Sequence, residues 1–431
     1  MLHGSGAFVF VRRWIGMTDY KSEFLQVLDQ RGFIHQGTQL TELDALAARE
    51  VVTGYIGFDA TAPSLHVGSL IQIMMLYWLQ HTGHRPIALM GGGTSKVGDP
   101  TGKDTQRALL SDLDIQSNIS SIKGVFQKFL RFGAGATDAL MADNDEWLSK
   151  LGYVEFLRDY GTHFTLNRML SFDSVKLRLE RESPMTFLEF NYMLMQAYDF
   201  HALYRRYGCR LQMGGSDQWG NIVGGVELCR RKDGIEAFGL TTPLLTTSSG
   251  RKMGKTEHGA VWLNEDLCSA YDYWQFWRNT EDADVGVMLA RFTTLPMPEV
   301  HRLAALGGAE INAAKKILAT EATAWLHGRA AAETCADTAR QTFEQGGVAT
   351  GLPSVVVTRE ALVRGYPLLE GFLAAQLINS KGEGRRHLSA QALKVNNTVV
   401  SLERLLTEAD LTDGLIKLSV GKKKHALLIV S

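Results

Sequence analysis

Residues 51–70, VVTGYIGFDATAPSLHVGSL, change character twice within one short stretch. The run VVTGYIGF has the β-branched and aromatic content of a buried strand. Gly57 within it lets the backbone lie close to a bound molecule. Past Pro63, SLIQIMMLYWLQHTG at 69–83 is apolar nearly all round and stops at Gly83, which reads as a buried helix. RPIALMGGG at 85–93 follows as a second buried strand. Strand, helix and strand within roughly 35 residues make a βαβ unit with a right-handed crossover. Asp59, Thr61, Ser64, His66 and Ser69 gather where the helix must begin. Unpaired N–H groups and the positive end of the helix dipole make such a start a natural phosphate site. His66 adds a donor there, and Gly68 removes a side chain that would block a nucleotide.

Ligands of such sheets lie beyond the carboxyl ends of the strands. A second polar loop falls at that edge, GGGTSKVGDPTGKDTQR at 91–107, with Lys96, Asp99, Lys103, Asp104 and Arg107. Further on, TFLEFNYMLMQAYDF at 186–200 aligns Tyr192, Gln196 and Asp199 on one helical face at spacings of four and three. Polar groups aligned inside an apolar helix require partners. The strand CRLQM at 209–213 runs into GGSDQWGN at 214–221, where Gly214 and Gly215 again permit close backbone approach. A strand at 240–245 leads to TTSSGRKMGKTEHGAVWL at 246–263. In that loop Lys252 and Lys255 are spaced to reach one polyphosphate, and Gly254 keeps it pliable.

The totals bound the answer. At 431 residues the chain exceeds one hydrophobic core, so two or three domains are expected. Lys plus Arg is 45 against 46 for Asp plus Glu, so contact with nucleic acid must use local patches. Cys209, Cys229, Cys268 and Cys335 form no C-x-x-C pair, which reads as reduced thiols of a cytoplasmic protein rather than a zinc knuckle or a disulfide framework. The longest apolar run is interrupted by Gln72 and is too short for a bilayer. The first sixteen residues have no secretory pattern, and Met17 reads as the start, with 1–16 an extension.

Three stretches in this order, LHVGSL at 65–70, GGSDQWGN and KMGKT at 252–256, resemble the signatures of class I aminoacyl-tRNA synthetases, with flanks similar to the tyrosyl branch. The loop GDPTGK at 98–103 is also similar to that branch. The resemblance spans Met17 to the end. It implies activation of L-tyrosine by ATP with Mg²⁺, transfer to tRNA(Tyr), a homodimer, and no membrane or DNA partner. It implies transition-state contacts from Thr61, His66, Lys103, Arg107, Lys252 and Lys255. Tyr55 and Asp199 would face the substrate phenol hydroxyl, and Asp99, Tyr192 and Gln196 its ammonium group. Asp217 and Gln218 would lie near the ribose and carboxylate. Around ATP it implies Gly57, Asp59, Gly68, Ser69, Gly215, Met253 and Thr256 as well. Ser69 stands where the family signature has its last histidine, and Gly254 and Thr256 replace serines.

The expected fold is α/β: a Rossmann-like catalytic domain at 17–257 with a helical insertion near 111–185, which in the family supplies the dimer interface. An α-helical domain at 258–350 follows, Ala-rich with helical apolar spacing, which in the family helps read the anticodon. A small α+β domain at 366–431 ends the chain, with Lys381, Arg385, Arg386, Lys394, Lys422, Lys423 and Lys424 as phosphate contacts. It resembles the small RNA-binding fold that terminates bacterial tyrosyl enzymes. A tryptophanyl-type enzyme and a catalytically inactive RNA-binding or splicing paralogue are the alternatives.

Overall fold

The computed structural model describes residues 19–99, 110–248, 250, 253–256, 259–343, 352–412, 414–421 and 424–430. The chain divides into two compact units, residues 1–268 with 276–326, and residues 269–275 with 327–431.

In the first unit the expected βαβ core is present. Strand β2 (Thr53–Asp59), helix α3 (Val67–His81) and β3 (Arg85–Gly91) follow one another, with β2 parallel to β3 over seven positions from Thr53↔Arg85 to Asp59↔Gly91. Before them, α1 (Glu23–Gln30), β1 (Gln36–Gly37) and α2 (Leu40–Ala47) lead in. The short edge strand β1 pairs antiparallel with β6 (Phe238–Thr242), so this lead segment is not helical throughout. Helix α8 (Phe187–Tyr207) and α9 (Trp219–Asp233) flank β5 (Leu211–Gly215). The sheet order is β1-β6-β5-β2-β3-β4, with β4 at Leu140–Asp143, which puts the topological switch between β2 and β5. Those two strands pair only at Gly54↔Leu211 and Tyr55↔Gln212. Beyond Tyr55 no further pairing joins them, and their carboxyl ends mark the edge where ligands of such sheets lie.

The stretch expected to be a purely helical insertion contains a strand. After α4 (Asp112–Phe126), β4 (Leu140–Asp143) joins the sheet parallel to β3, from Ile87↔Leu140 to Met90↔Asp143. Its four residues, LMAD, carry no alternation by which it could be read. Helices α5 (Tyr153–Asp159), α6 (Leu166–Leu170) and α7 (Asp173–Glu180) follow, and their side chains pack on the first turns of α8 through Met169, Val175, Met193 and Leu194. The start of α8 is fixed by a capping box in which Thr186 and Glu189 exchange hydrogen bonds, and its end by Gly208 at φ 65°.

After the short hairpin β7 (Lys255–Thr256) and β8 (Gly259–Ala260), helices α10 (Ala270–Arg278), α11 (Val285–Phe292), α12 (Met297–Ala304), α13 (Ile311–His327) and α14 (Arg329–Phe343) make the expected helical run. Residues 276–326 of it group with the sheet unit. Buried Arg31 accounts for part of this: it donates to the carbonyls of Ala290 and Thr293 at 2.9 Å and of Leu295 at 2.8 Å. Its guanidinium lies 4.2 Å over the Trp78 ring. Arg291 donates in return to Gly32 O at 2.7 Å.

In the second unit a five-stranded sheet has the order β12-β11-β14-β15-β9, with β9 (Ser354–Val357), β11 (Leu393–Val395), β12 (Thr398–Val399), β14 (Leu415–Val420) and β15 (Lys424–Val430), and β10 (Tyr366–Pro367) pairs separately with β13 (Leu405–Leu406). Asn396 and Asn397, at φ 47° and 67°, turn β11 into β12, as a two-residue hairpin requires. β9 pairs parallel with β15 from Ser354↔Leu427, so this sheet begins ahead of residue 366. Helices α15 (Arg359–Arg364), α16 (Leu368–Ala374) and α17 (Lys381–Ser389) accompany it, over a core that includes Leu369, Phe372, Leu393, Ile416 and Leu418.

Candidate active site

Two hydrogen-bonded networks gather at the carboxyl-end edge of β2 and β5. The first begins at Asp199 on α8, 2% exposed. Trp147 Nε1 donates to its Oδ1 at 2.7 Å and Asn144 Nδ2 to its Oδ2 at 2.8 Å. Asn144, just past β4, also donates to Thr94 Oγ1 at 3.0 Å and accepts from Gly93 N at 2.8 Å. Thr94 Oγ1 donates to Asp59 Oδ1 at 2.8 Å, and Tyr192 OH donates to Asp59 Oδ2 at 3.1 Å. One polar chain thus runs from Trp147 to Tyr192 through residues of five separate elements and loops. Gly91 is required beside it, since a Cβ there would stand 2.4 Å from Asp59 Oδ1 and 2.5 Å from Thr94 Oγ1.

Burial pushes the Asp199 carboxyl up to about 7, although its two donors favour the ionised form. The Tyr55 hydroxyl is buried with no hydrogen-bond partner and is raised well above its ordinary range, first by burial and then by Asp199. An orphaned hydroxyl beside a buried carboxylate is a site for a second hydroxyl. Tyr192 is likewise raised by burial and by Asp59, Asp99 and Asp199. Three carboxylates acting at one place suit a cation.

The second network is made of amides. Gln218 Nε2 donates to Asp99 Oδ2 at 2.8 Å. Asn221 Nδ2 donates to Gln218 Oε1 at 3.1 Å and to Gln196 Oε1 at 3.0 Å. Asp99, Gln196 and Gln218, drawn from three distant stretches, are therefore joined. Asp217 beside them is exposed, and a Cβ on Gly215 would stand 2.4 Å from its Oδ1.

His66 is the N-cap of α3. Its Nδ1 accepts from Gly68 N at 2.9 Å, so the neutral ring carries its proton on Nε2. Here the expectation of open N–H groups needs correcting. Val67 N donates to Val261 O at 2.9 Å, Gly68 N to the imidazole, and Ser69 N to His66 O at 2.8 Å. The first three amides of the helix are occupied, so phosphate attraction there rests on the dipole and on side-chain donors. Val261 N in turn donates to Gly254 O at 3.0 Å, and His66 bridges Trp262 in antiparallel fashion. Gly254, at φ 93°, packs so that a Cβ would lie 2.8 Å from Gly68 N. The turn at Met253 and Gly254 thus lies against the start of α3, uniting two signatures far apart in sequence.

Thr61, Gly68 and Ser69 are half-buried and Gly57 is exposed, with open space where its Cβ would stand. Lys255 and Thr256 are placed by their backbone, in β7. Lys103, Arg107 and Lys252 lie outside the described residues, as do Lys422 and Lys423. In the second unit Lys381 pairs with Glu370 at 2.5 Å and Arg385 with Glu403 at 3.5 Å, so two of the expected phosphate contacts already have acidic partners. Arg386 is exposed, while Lys394 and Lys424 are half-buried on β11 and β15. Thr94, Asn144 and Trp147 join the site with no signal in the sequence. No short motif marks them, because each acts on a residue at least 35 positions away.

Residues 47–344 match the family described as tRNA synthetases class I (W and Y). The chain belongs to that family. As a class I tRNA synthetase it is 64% identical over 410 residues to a tyrosine–tRNA ligase of Caulobacter sp. (strain K31), covering 95% of this chain and 98% of the relative. It is 62% identical to a tyrosine–tRNA ligase of Rhodospirillum rubrum, covering 96% and 99%. Among solved structures, a C-terminally truncated mitochondrial tyrosyl-tRNA synthetase of Aspergillus nidulans superposes with a TM-score of 0.67 at 32% identity, covering 78% of this chain and 98% of that one. The α/β synthetase fold, with its mostly parallel sheet, is shared with these proteins.

Proposed function

We infer that the chain activates L-tyrosine with ATP and then transfers it to the 3′-terminal adenosine of tRNA(Tyr). The observation that carries this is the orphaned Tyr55 hydroxyl acting together with buried Asp199, a floor built for a phenol. The names of its relatives agree. An indole offers Asp199 and Tyr55 no hydroxyl, which disfavours a tryptophanyl specificity.

In the first step a tyrosine carboxylate oxygen bonds to the α-phosphorus of ATP, the bond from that phosphorus to the bridging oxygen breaks, and pyrophosphate leaves. The nucleophile is already charged, so alignment and stabilisation of charge on the leaving phosphates are what the protein supplies. In the second step a ribose hydroxyl of the tRNA attacks the tyrosyl carbonyl and AMP leaves. In this reading Tyr55 and Asp199 meet the phenol hydroxyl, and Asp99, Tyr192 and Gln196 the ammonium group. Gln218 and Asp217 lie near the carboxylate and ribose, with Gly57, Asp59, Gly68, Ser69, Gly215, Met253 and Thr256 around ATP. His66 presents its Nε2 proton to the phosphates, and Thr61, Lys103, Arg107, Lys252 and Lys255 complete the donor set. Mg²⁺ enters bound to ATP, as part of the substrate.

The domain reading is a catalytic part at 17–257, a helical anticodon-reading part at 258–350 and an RNA-binding part over 366–431. A homodimer is supported by the apolar side chains left outward on α5 to α8, where Tyr153 is 62%, Val154 75%, Leu166 65% and Phe187 67% exposed. Sedimentation equilibrium at twice the chain mass supports it, and a monomer rejects it. Four free thiols fit a reducing, cytoplasmic setting, and no helix among the described residues is long and apolar enough to cross a membrane.

The test is amino-acid-dependent ATP–pyrophosphate exchange across the twenty amino acids. Exchange with tyrosine alone is expected. Exchange with tryptophan instead, or with none while the protein still binds tRNA, overturns the reading.

A further inference from the structure

Helix α8 is gripped at two places by different chemistry. Its second grip, around Asp199, is the pair of donors from Asn144 and Trp147 already described. The first lies one turn ahead of Tyr192. Arg178 on α7 donates from Nη1 to Glu189 Oε1 at 2.9 Å, and both side chains are 5% exposed. Arg178 Nη2 donates to the carbonyl of Pro184, in the bend that leads into the helix. That bend turns at Glu182, φ 53°, and returns Ser183 N to Arg178 O at 2.9 Å. Glu189 Oε2 meanwhile accepts from Thr186 N at 2.9 Å and from Thr186 Oγ1 at 3.0 Å.

This arrangement exceeds what capping needs. A threonine and a glutamate close a capping box at a solvent-exposed helix start without an arginine. Burying both charges is costly, and Arg178 Nε is buried with no hydrogen-bond partner. A buried ion pair left partly unsatisfied is a poor stabiliser compared with apolar packing. What it provides is a fixed position, because the guanidinium ties the bend and the first turn to one point.

We propose that Arg178 and Glu189 are positioning residues that set the first turns of α8, and thereby the end of the pocket formed by Tyr192 and Gln196, independently of the end formed by Asp199. This rests on the reading that Tyr192 and Gln196 meet the substrate ammonium group and Asp199 its phenol hydroxyl. Disturbing the latch should therefore weaken recognition of the ammonium group and leave recognition of the phenol intact.

The experiment compares the KM for tyrosine in pyrophosphate exchange with the Ki of 3-(4-hydroxyphenyl)propionate, which keeps the phenol and lacks the ammonium group. For Glu189→Gln the KM should rise about tenfold with Ki unchanged. Arg178→Lys, which keeps the charge but cannot reach both Glu189 and Pro184, should show a smaller rise of the same kind, and it carries the test should Glu189→Gln not fold. Equal rises in both constants, or no rise in either, overturn the latch. Tyr192→Phe separates this from the reading beneath it. If Tyr192→Phe raises KM selectively while neither latch variant does, the latch alone fails. If Tyr192→Phe shows no selective rise, the assignment of the ammonium end fails and takes the latch with it.

Discussion

The side-chain amide of Asn144, at the end of β4, donates to Asp199 Oδ2 at 2.8 Å while its own oxygen accepts from Gly93 N. It ties the Asp199 carboxylate, which in the proposed reading meets the phenol, to the loop that follows β3. Asn144→Ala should lower kcat/KM for tyrosine by roughly 10- to 100-fold, the worth of one hydrogen bond to a charged group. Steady-state exchange kinetics checks it, and an unchanged value removes Asn144 from the pocket.

Asp199, raised to about 7 by burial, gives the pocket a pH dependence. If the phenol donates to the ionised carboxylate, kcat/KM for tyrosine should fall on the acid side of about pH 7. Trp147→Phe removes a donor that lowers this pKa, so the acid limb should move to higher pH. The same shift bears on stability. A carboxyl raised in the folded state favours folding while it is protonated, and that contribution is lost as pH rises from the unfolded carboxyl range through about 7. Relative to Asp199→Asn, the unmodified protein should lose on the order of 4 kcal/mol across that window, read from urea midpoints at its two ends.

Gly254 has no room for a side chain. With φ at 93° and a Cβ position 2.8 Å from Gly68 N and 3.1 Å from His66 Nδ1, Gly254→Ala must displace the turn from the start of α3. Adenylate formation should slow by about 100-fold. Tyrosine binding by equilibrium dialysis should be untouched, and equal loss of both would place the defect in folding instead.

Arg31 supplies three backbone carbonyls near the end of α11 with donors. Arg31→Met leaves them without a charged partner and should cost roughly 2 to 4 kcal/mol in urea unfolding. A change below about 0.5 kcal/mol would show that water replaces the guanidinium.

The parts of this fold legible in sequence were those with long or strongly patterned signals. The strand at 53–59 and the apolar helix after it each announce themselves by composition and by the glycine that stops the helix. Strand β4 did not, since four residues between helices offer no period to read. The residues it carries into the pocket were hidden with it. Asn144 and Trp147 matter through contacts to Asp199, at separations of 55 and 52 residues, and sequence spacing holds no trace of such contacts. The amides at the start of α3 were misread for a related reason. The Val67 amide finds its partner, the carbonyl of Val261, in a segment almost two hundred residues later.

The polar chain from Trp147 through Asp199, Asn144, Thr94 and Asp59 to Tyr192 draws on stretches that are dispersed along the chain and adjacent only in the finished sheet. No folding intermediate lacking β4 or α8 can own this pocket, and such long-range closure comes late. Tyrosine is then a ligand of the native state alone. At about 100 times its dissociation constant it adds roughly 2.7 kcal/mol against unfolding. Saturating tyrosine should therefore also slow cleavage of the enzyme by an added protease, through the same mass action.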